Sequence, residues 1–233
     1  MKKFLLFLLA LAALPLVWGV CAAVPALFAL VPASSTDEIF SPEATGLIAG
    51  ILLEIVFWLI LPSPVRIYTF GHEATHALVG LLFGAKPSNL RVSVSGGSVS
   101  LTKSNVWITL APYFLPFYTL LVAAAAAAVR LATSSLPLPC AWTFAVGFTW
   151  AFHVLWTFRA LRQKQPDVHE YGRLFSWVLI FLFNALGIFI YLALSGGMPL
   201  RPALLALWDS IRLSYCRISD FSLIFFQKFF PAR

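Results

Sequence analysis

The chain has 233 residues, 61% of them hydrophobic and only 11% charged, where a soluble domain carries about 25% charged residues. That excludes an ordinary soluble enzyme and leaves an integral, multi-pass membrane protein of single-domain length. The net charge of +7 gathers at the ends of apolar runs, as in RALRQKQ (159–165), where headgroup anchoring and the positive-inside rule account for it, and no basic-aromatic pattern points to nucleic acid.

In chain order, MKKFLLFLLALAALPLVWGVCAAVPALFALV opens with Lys2 and Lys3 and continues apolar. Residues 1–33 read as a retained transmembrane helix or signal anchor, with cleavage before ASSTDE as the alternative. A polar, acidic segment follows with Asp37, Glu38 and Glu43. The second apolar run (44–62) is interrupted by Glu54, and the third spans about 65–85. The fourth (105–129) contains a run of alanines suited to close helix packing. The fifth (140–158) and sixth (174–194) flank a polar loop, 159–173. Residues 34–195 form the expected membrane-embedded core. In the tail, 196–233, Leu204, Trp208, Ile211 and Tyr215 recur at helical spacing, which predicts an interfacial amphipathic helix. Cys21, Cys140 and Cys216 form no metal or disulfide pattern. The expected fold is an all-α polytopic membrane protein of about six transmembrane segments with a small membrane-associated β-hairpin. The start MKK suits a bacterial cell membrane. Lys2 and Lys3 place the N-terminus inside, while five crossings then put the basic loop 159–173 outside, so charge leaves the orientation open.

The hairpin is expected within residues 86–104. In NLRVSVSGGSVSLT, apolar and polar residues alternate with strand periodicity. A two-residue turn at Gly96-Gly97 sets Val94 opposite Val99 and Val92 opposite Leu101. These four residues would share one face, and a strand edge there can pair with an extended substrate.

The third run carries the chemistry. In TFGHEATHALVGLLFGA (69–85), His72 and His76 lie four apart on one helix face, so two imidazoles can grip one metal ion. Glu73 flanks them, in reach of a metal-activated water, as general base and then acid. H-E-x-x-H is the spacing of zinc peptidases. Each ionisable group in a membrane helix costs about 2.5–3.5 kcal/mol, yet three fall within five positions here. The structural alternative is a pair of neutral histidines hydrogen-bonded between helices. A catalytic zinc needs a third protein ligand and one open position. Asp167, His153, His169 and Glu54 are the candidates.

The segment GHEATHALVGLLFGA resembles the site-2 protease family of membrane-embedded zinc metallopeptidases, and SGGSV followed by LAPYFLPFY resembles that family's usual sequel. The similarity spans roughly residues 45–190. It implies Zn²⁺ held by His72, His76 and Asp167, with Glu73 as catalytic base; from the residues themselves, His153 is the runner-up third ligand. Val92, Val94, Val99 and Leu101 would bind substrate, a membrane-spanning protein within the lipid bilayer. The chain departs from the family in the stretch LAPYFLP, which lacks the family's glycine and asparagine, and in Asp167-Val168, where the family has aspartate-glycine. Asn184 then stands as a candidate transition-state donor. Two other readings are an inactive membrane protein of the same fold that binds a partner helix, and a transporter using His72, Glu73 and Glu54 as a proton or metal path. Sequence leaves the oligomeric state undetermined.

Overall fold

The structure is a computed structural model that describes residues 1–28, 41–195 and 198–229, without the side chains of 28, 195 and 222–229. The acidic segment with Asp37 and Glu38, and the boundaries at residues 33 and 196, lie outside the described residues. The elements are α1 (Lys2–Phe28), α2 (Pro42–Ile60), α3 (Val65–Leu82), β1 (Pro87–Ser93), β2 (Gly96–Leu101), α4 (Val106–Leu110), a 3-10 turn (Ala111–Tyr113), α5 (Phe117–Thr133), α6 (Pro139–Leu161), α7 (Pro166–Glu170), α8 (Arg173–Ser195) and α9 (Leu200–Phe229).

Among the described residues, three helices are long and apolar enough to cross a membrane: Lys2–Leu27, Pro42–Ile60 and Arg173–Leu194. Six spans were expected. The fourth run is broken: Val106–Tyr113 and Phe117–Thr133 meet at 84°, and count as a fourth span only if the bent pair crosses as one. Pro112 and Pro116 explain the break, because neither can donate a helical N–H and each ring crowds the preceding turn. The third and fifth runs form α3 and α6, whose apolar surface is diluted by Arg66, His72, Glu73 and His76, and by His153 and Arg159.

The chain divides into two compact units, Met1–Ala33 with Tyr171–Arg233, and Ser34–Glu170. In the first, α1 packs on α8 and α9 around Ala23, Leu27, Phe189, Ala193 and Ala203. Gly19 permits this approach: a Cβ there would meet the Ile211 backbone at 2.5 Å. The tail is helical as expected, but its packing face differs. Ala203 and Ser214 are buried, while Leu204, Trp208 and Tyr215 are exposed; of the predicted stripe, Ile211 packs inward. Small side chains let two helices close on each other, so the bulky stripe is left outward.

The second unit holds the H-E-x-x-H segment. Here α2 and α6 lie backbone to backbone. A Cβ on Gly46 would collide with the Cys140 carbonyl, one on Gly50 with the Phe144 carbonyl, and one on Gly147 with the Leu47 carbonyl. Gly46 and Gly50 are spaced four apart, the small-xxx-small pattern of close helix pairs. Gly50→Leu is expected to force α2 from α6 and to destabilise the protein by about 1–3 kcal/mol, read as a lower thermal midpoint in detergent. An unchanged midpoint would show that the contact contributes nothing.

The strand pair forms a two-stranded antiparallel sheet packed on α3. Its register differs from the expected one. Ser93 pairs with Gly96, Val92 with Gly97, and Pro87 with Leu101, with an irregularity between Ser88 and Arg91. The turn is therefore Val94-Ser95, not Gly96-Gly97, and Val94 is an exposed tip residue at 67% exposure. Val92 and Leu101 are not partners. The glycines have another use. A Cβ on Gly97 would run into Thr69 Cγ2 and come within 2.8 Å of Glu73 Cγ, so glycine lets β2 lie directly on α3. Gly96 has φ of 138°, a conformation that favours glycine.

Candidate metal centre

Helix α3 sets the geometry. Its one-turn spacing puts His72 and His76 on the same side, with ring centroids 4.9 Å apart and planes at 81°. The short helix α7 brings in Asp167. Pro166 opens it, Val168 is buried at 4% exposure, and the Asp167 carboxylate emerges on the side facing the imidazoles. Asp167 Oδ2 lies 3.6 Å from His72 Nε2 and 3.5 Å from His76 Nε2. The three side chains offer ligand atoms within 4.8 Å of one another, so they can hold a metal ion.

Neighbouring groups orient these atoms. His76 Nδ1 lies 2.8 Å from the Ile108 carbonyl. Donation there puts the proton on Nδ1 and leaves Nε2 as the lone-pair atom facing Asp167, the usual way a second contact fixes a ligand's tautomer. The Ile108 carbonyl is itself held by a capped helix: Asn105 Oδ1 accepts from the Trp107 and Ile108 amides at 2.9 and 3.0 Å, a standard N-cap arrangement. His72 Nδ1 is buried without a hydrogen-bond partner among the described residues. Burial pushes the Asp167 carboxyl up, but with no metal bound the facing imidazoles of His72 and His76, when protonated at Nε2 and donating to it, outweigh burial and hold the group well below the usual carboxylate range; a metal ion would take the place of those protons. It is therefore an anion at neutral pH.

Two tyrosines complete the surroundings, and neither was singled out from sequence. Tyr113, with no exposed surface, donates its hydroxyl to Asp167 Oδ2 at 3.0 Å. It comes from the 3-10 turn in LAPYFLP. The sequence signal is a tyrosine between two helix-breaking prolines. Tyr68 sits one turn before His72 on the same face of α3, with ring centroids 5.8 Å apart. Its hydroxyl is buried and has no hydrogen-bond partner among the described residues. The i, i+4 spacing from His72 could have flagged it. Tyr113→Phe removes one support of Asp167 and is expected to weaken metal binding about tenfold, since outer contacts of ligands are worth about 10–100-fold. Competition with a chelating indicator would measure it.

Glu73 is 8% exposed and lies outside the ligand group. It is pinned between helix and hairpin, with the Val99 backbone amide donating to its carboxylate. Of the other predicted residues, His153 is buried on α6 and lines a small cleft with His72 and Tyr68, but it is not in the ligand group. His169 is exposed on α7. Glu54 is buried on α2 at 4% exposure, also outside the group. Asn184 belongs to the other unit, where its Nδ2 donates to the Ile180 carbonyl at 2.8 Å. Val92, Val99 and Leu101 are half-buried in the hairpin, beside exposed Val94.

Comparison with protein-family models, with curated proteins and with solved structures finds no match to this chain.

Proposed function

We propose that this protein is a zinc-dependent endopeptidase of the site-2 protease kind, cleaving membrane-spanning proteins within or beside the bilayer, in a multi-pass bacterial membrane setting. The observation that carries the reading is the convergence of two imidazole Nε2 atoms and one carboxylate oxygen at 3.5–3.6 Å. Those separations are long for charge-assisted hydrogen bonds, which run about 2.7–2.9 Å. They suit a shared tetrahedral ion: bonds of about 2.0–2.1 Å put two ligand atoms about 3.3–3.4 Å apart. Two nitrogens and one oxygen is a donor set that suits a catalytic zinc site, which would leave one further position for water or substrate.

When bound, Zn²⁺ supplies Lewis acidity, lowering the pKa of water and polarising a carbonyl. The chain's own groups do the rest. His72, His76 and Asp167 hold the ion, and Tyr113 holds Asp167. Glu73 takes the proton of the attacking water on its carboxylate and returns it to the departing amine. The Val99 amide and the close seat of Gly97 keep that carboxylate in place. An outer edge of the hairpin can hold the substrate extended, since a helical segment hides its scissile carbonyl in its own hydrogen bonds. Tyr68 is the donor to the oxygen that gains negative charge: it is a buried hydroxyl with no protein acceptor, on the ligand helix.

The test is metal content and cleavage on the full chain. Protein purified without chelator is expected to hold one zinc per chain and to cut a membrane-spanning test peptide. Material that is metal-free and cannot be loaded would remove the assignment. Tyr68→Phe is expected to lower kcat about 10²-fold with zinc content unchanged, as loss of one transition-state donor does. An unaltered kcat would take Tyr68 out of the chemistry.

A further inference from the structure

A cavity of about 330 Å³ opens in the second unit between α2, α6 and the start of α5. It is at the lower end of the size range of ligand sites. Its walls are mostly apolar and rich in aromatic rings: Phe57, Phe148, Phe152 and Trp156 contribute rings, with Phe57 and Phe148 edge to face at 5.8 Å. One strongly polar group lies among them, the carboxyl of Glu54. Glu54 as a residue is 96% buried, its carboxyl lines the cavity, and no hydrogen bond or ion pair to it is found among the described residues. None of the proposed catalytic steps uses it. A carboxyl so placed in an apolar segment is costly to keep without a partner, and it faces the cavity.

The cavity also adjoins the metal centre. Tyr118 and Phe152 line both it and the small cleft that touches His72. Trp156 stacks on Tyr68 at 5.3 Å, and Tyr68 in turn contacts His72.

We infer that this cavity is a substrate subsite for an aromatic side chain bearing a hydrogen-bond donor, tyrosine or tryptophan, with Glu54 accepting from its O–H or N–H. The inference rests on the hydrolase reading of the adjacent centre. Aromatic walls favour a ring through edge-to-face contacts, and a buried phenol or indole needs one polar partner. Either protonation state of Glu54 offers an acceptor oxygen. Such side chains are enriched where membrane segments meet the interface, so the subsite would select substrates by an interfacial aromatic beside the cleaved bond.

The test needs neither metal nor cleavage. The full chain in nanodiscs is titrated with 4-methylphenol and with toluene, which differ by one hydroxyl, with empty nanodiscs subtracted. Wild type is expected to bind 4-methylphenol about tenfold or more tightly than toluene. Glu54→Leu should erase that preference, while Glu54→Gln, which keeps an acceptor oxygen, should retain most of it. Equal binding of both probes by wild type marks a merely apolar groove, such as an acyl-chain site, and overturns the inference. So does a preference that survives Glu54→Leu, or no binding of either probe. A second arm compares cleavage of test peptides with tyrosine or phenylalanine beside the scissile bond. Cleavage without discrimination between them sinks the subsite and leaves the hydrolase. Probe discrimination in a protein that cuts nothing supports the cavity's chemistry and sinks the hydrolase.

Discussion

Glu73→Gln is expected to lower peptide cleavage by about 10²–10⁴-fold, the usual contribution of a general acid-base group, while the zinc content stays at the wild-type level. Glutamine preserves size and an acceptor for the Val99 amide, so the hairpin contact at Glu73 should survive. It cannot take a proton from water at neutral pH. Metal should be retained because the ligand group is His72, His76 and Asp167, without Glu73. The rate loss corresponds to about 3–5.5 kcal/mol in the barrier. Cleavage of a membrane-spanning peptide in proteoliposomes, with elemental analysis of the same samples, reads both quantities. Equal cleavage by wild type and variant would end the proposed mechanism even if zinc were present.

Asp167→Ala is expected to do the opposite kind of damage, emptying the site. It leaves two imidazoles, and Tyr113 loses its carboxylate acceptor. Loss of an outer contact alone weakens metal binding about 10–100-fold, so removal of the anionic ligand should exceed about 10²-fold. Purified variant protein should carry little zinc and show no cleavage. Asp167→Asn separates charge from shape: it keeps an oxygen facing Tyr113 but no negative charge, and should fall between the two. If His72→Ala and His76→Ala empty the site while Asp167→Ala does not, Asp167 is a neighbour rather than a ligand.

The contrast between local and distant features explains what could be read in advance. That the chain is rich in membrane-grade helices follows from composition, since unbroken apolar runs have no stable alternative in lipid. The face shared by His72 and His76 follows from helical periodicity alone. The hairpin's existence also showed in its alternation, but its register did not. The pair Gly96-Gly97 looked like a turn because glycine accepts positive φ, whereas Gly97 is a glycine of close approach, needed because Thr69 and Glu73 lie beneath it. Both uses leave the same letter in the sequence. The fourth apolar run likewise read as one span, and its break at 84° depends on where Pro112 and Pro116 let the backbone turn.

The sequence by itself determined a helical, lipid-suited chain, a two-strand excursion, and one helix carrying two imidazoles and a carboxylate at fixed spacing. Each of these depends on residues within a few turns of one another. Only the tertiary structure decided that Asp167 faces those imidazoles while His153, His169 and Glu54 stay outside the group, and that Tyr113 and Tyr68 stand beside them. It also decided that Glu54 opens into an aromatic cavity and that Asn184 belongs to another unit. The reason is physical: periodicity fixes directions along one element, but which elements meet depends on close packing between them. Here that packing is set by glycines at helix crossings and prolines at the break, whose effect appears only when the partner backbone is in place.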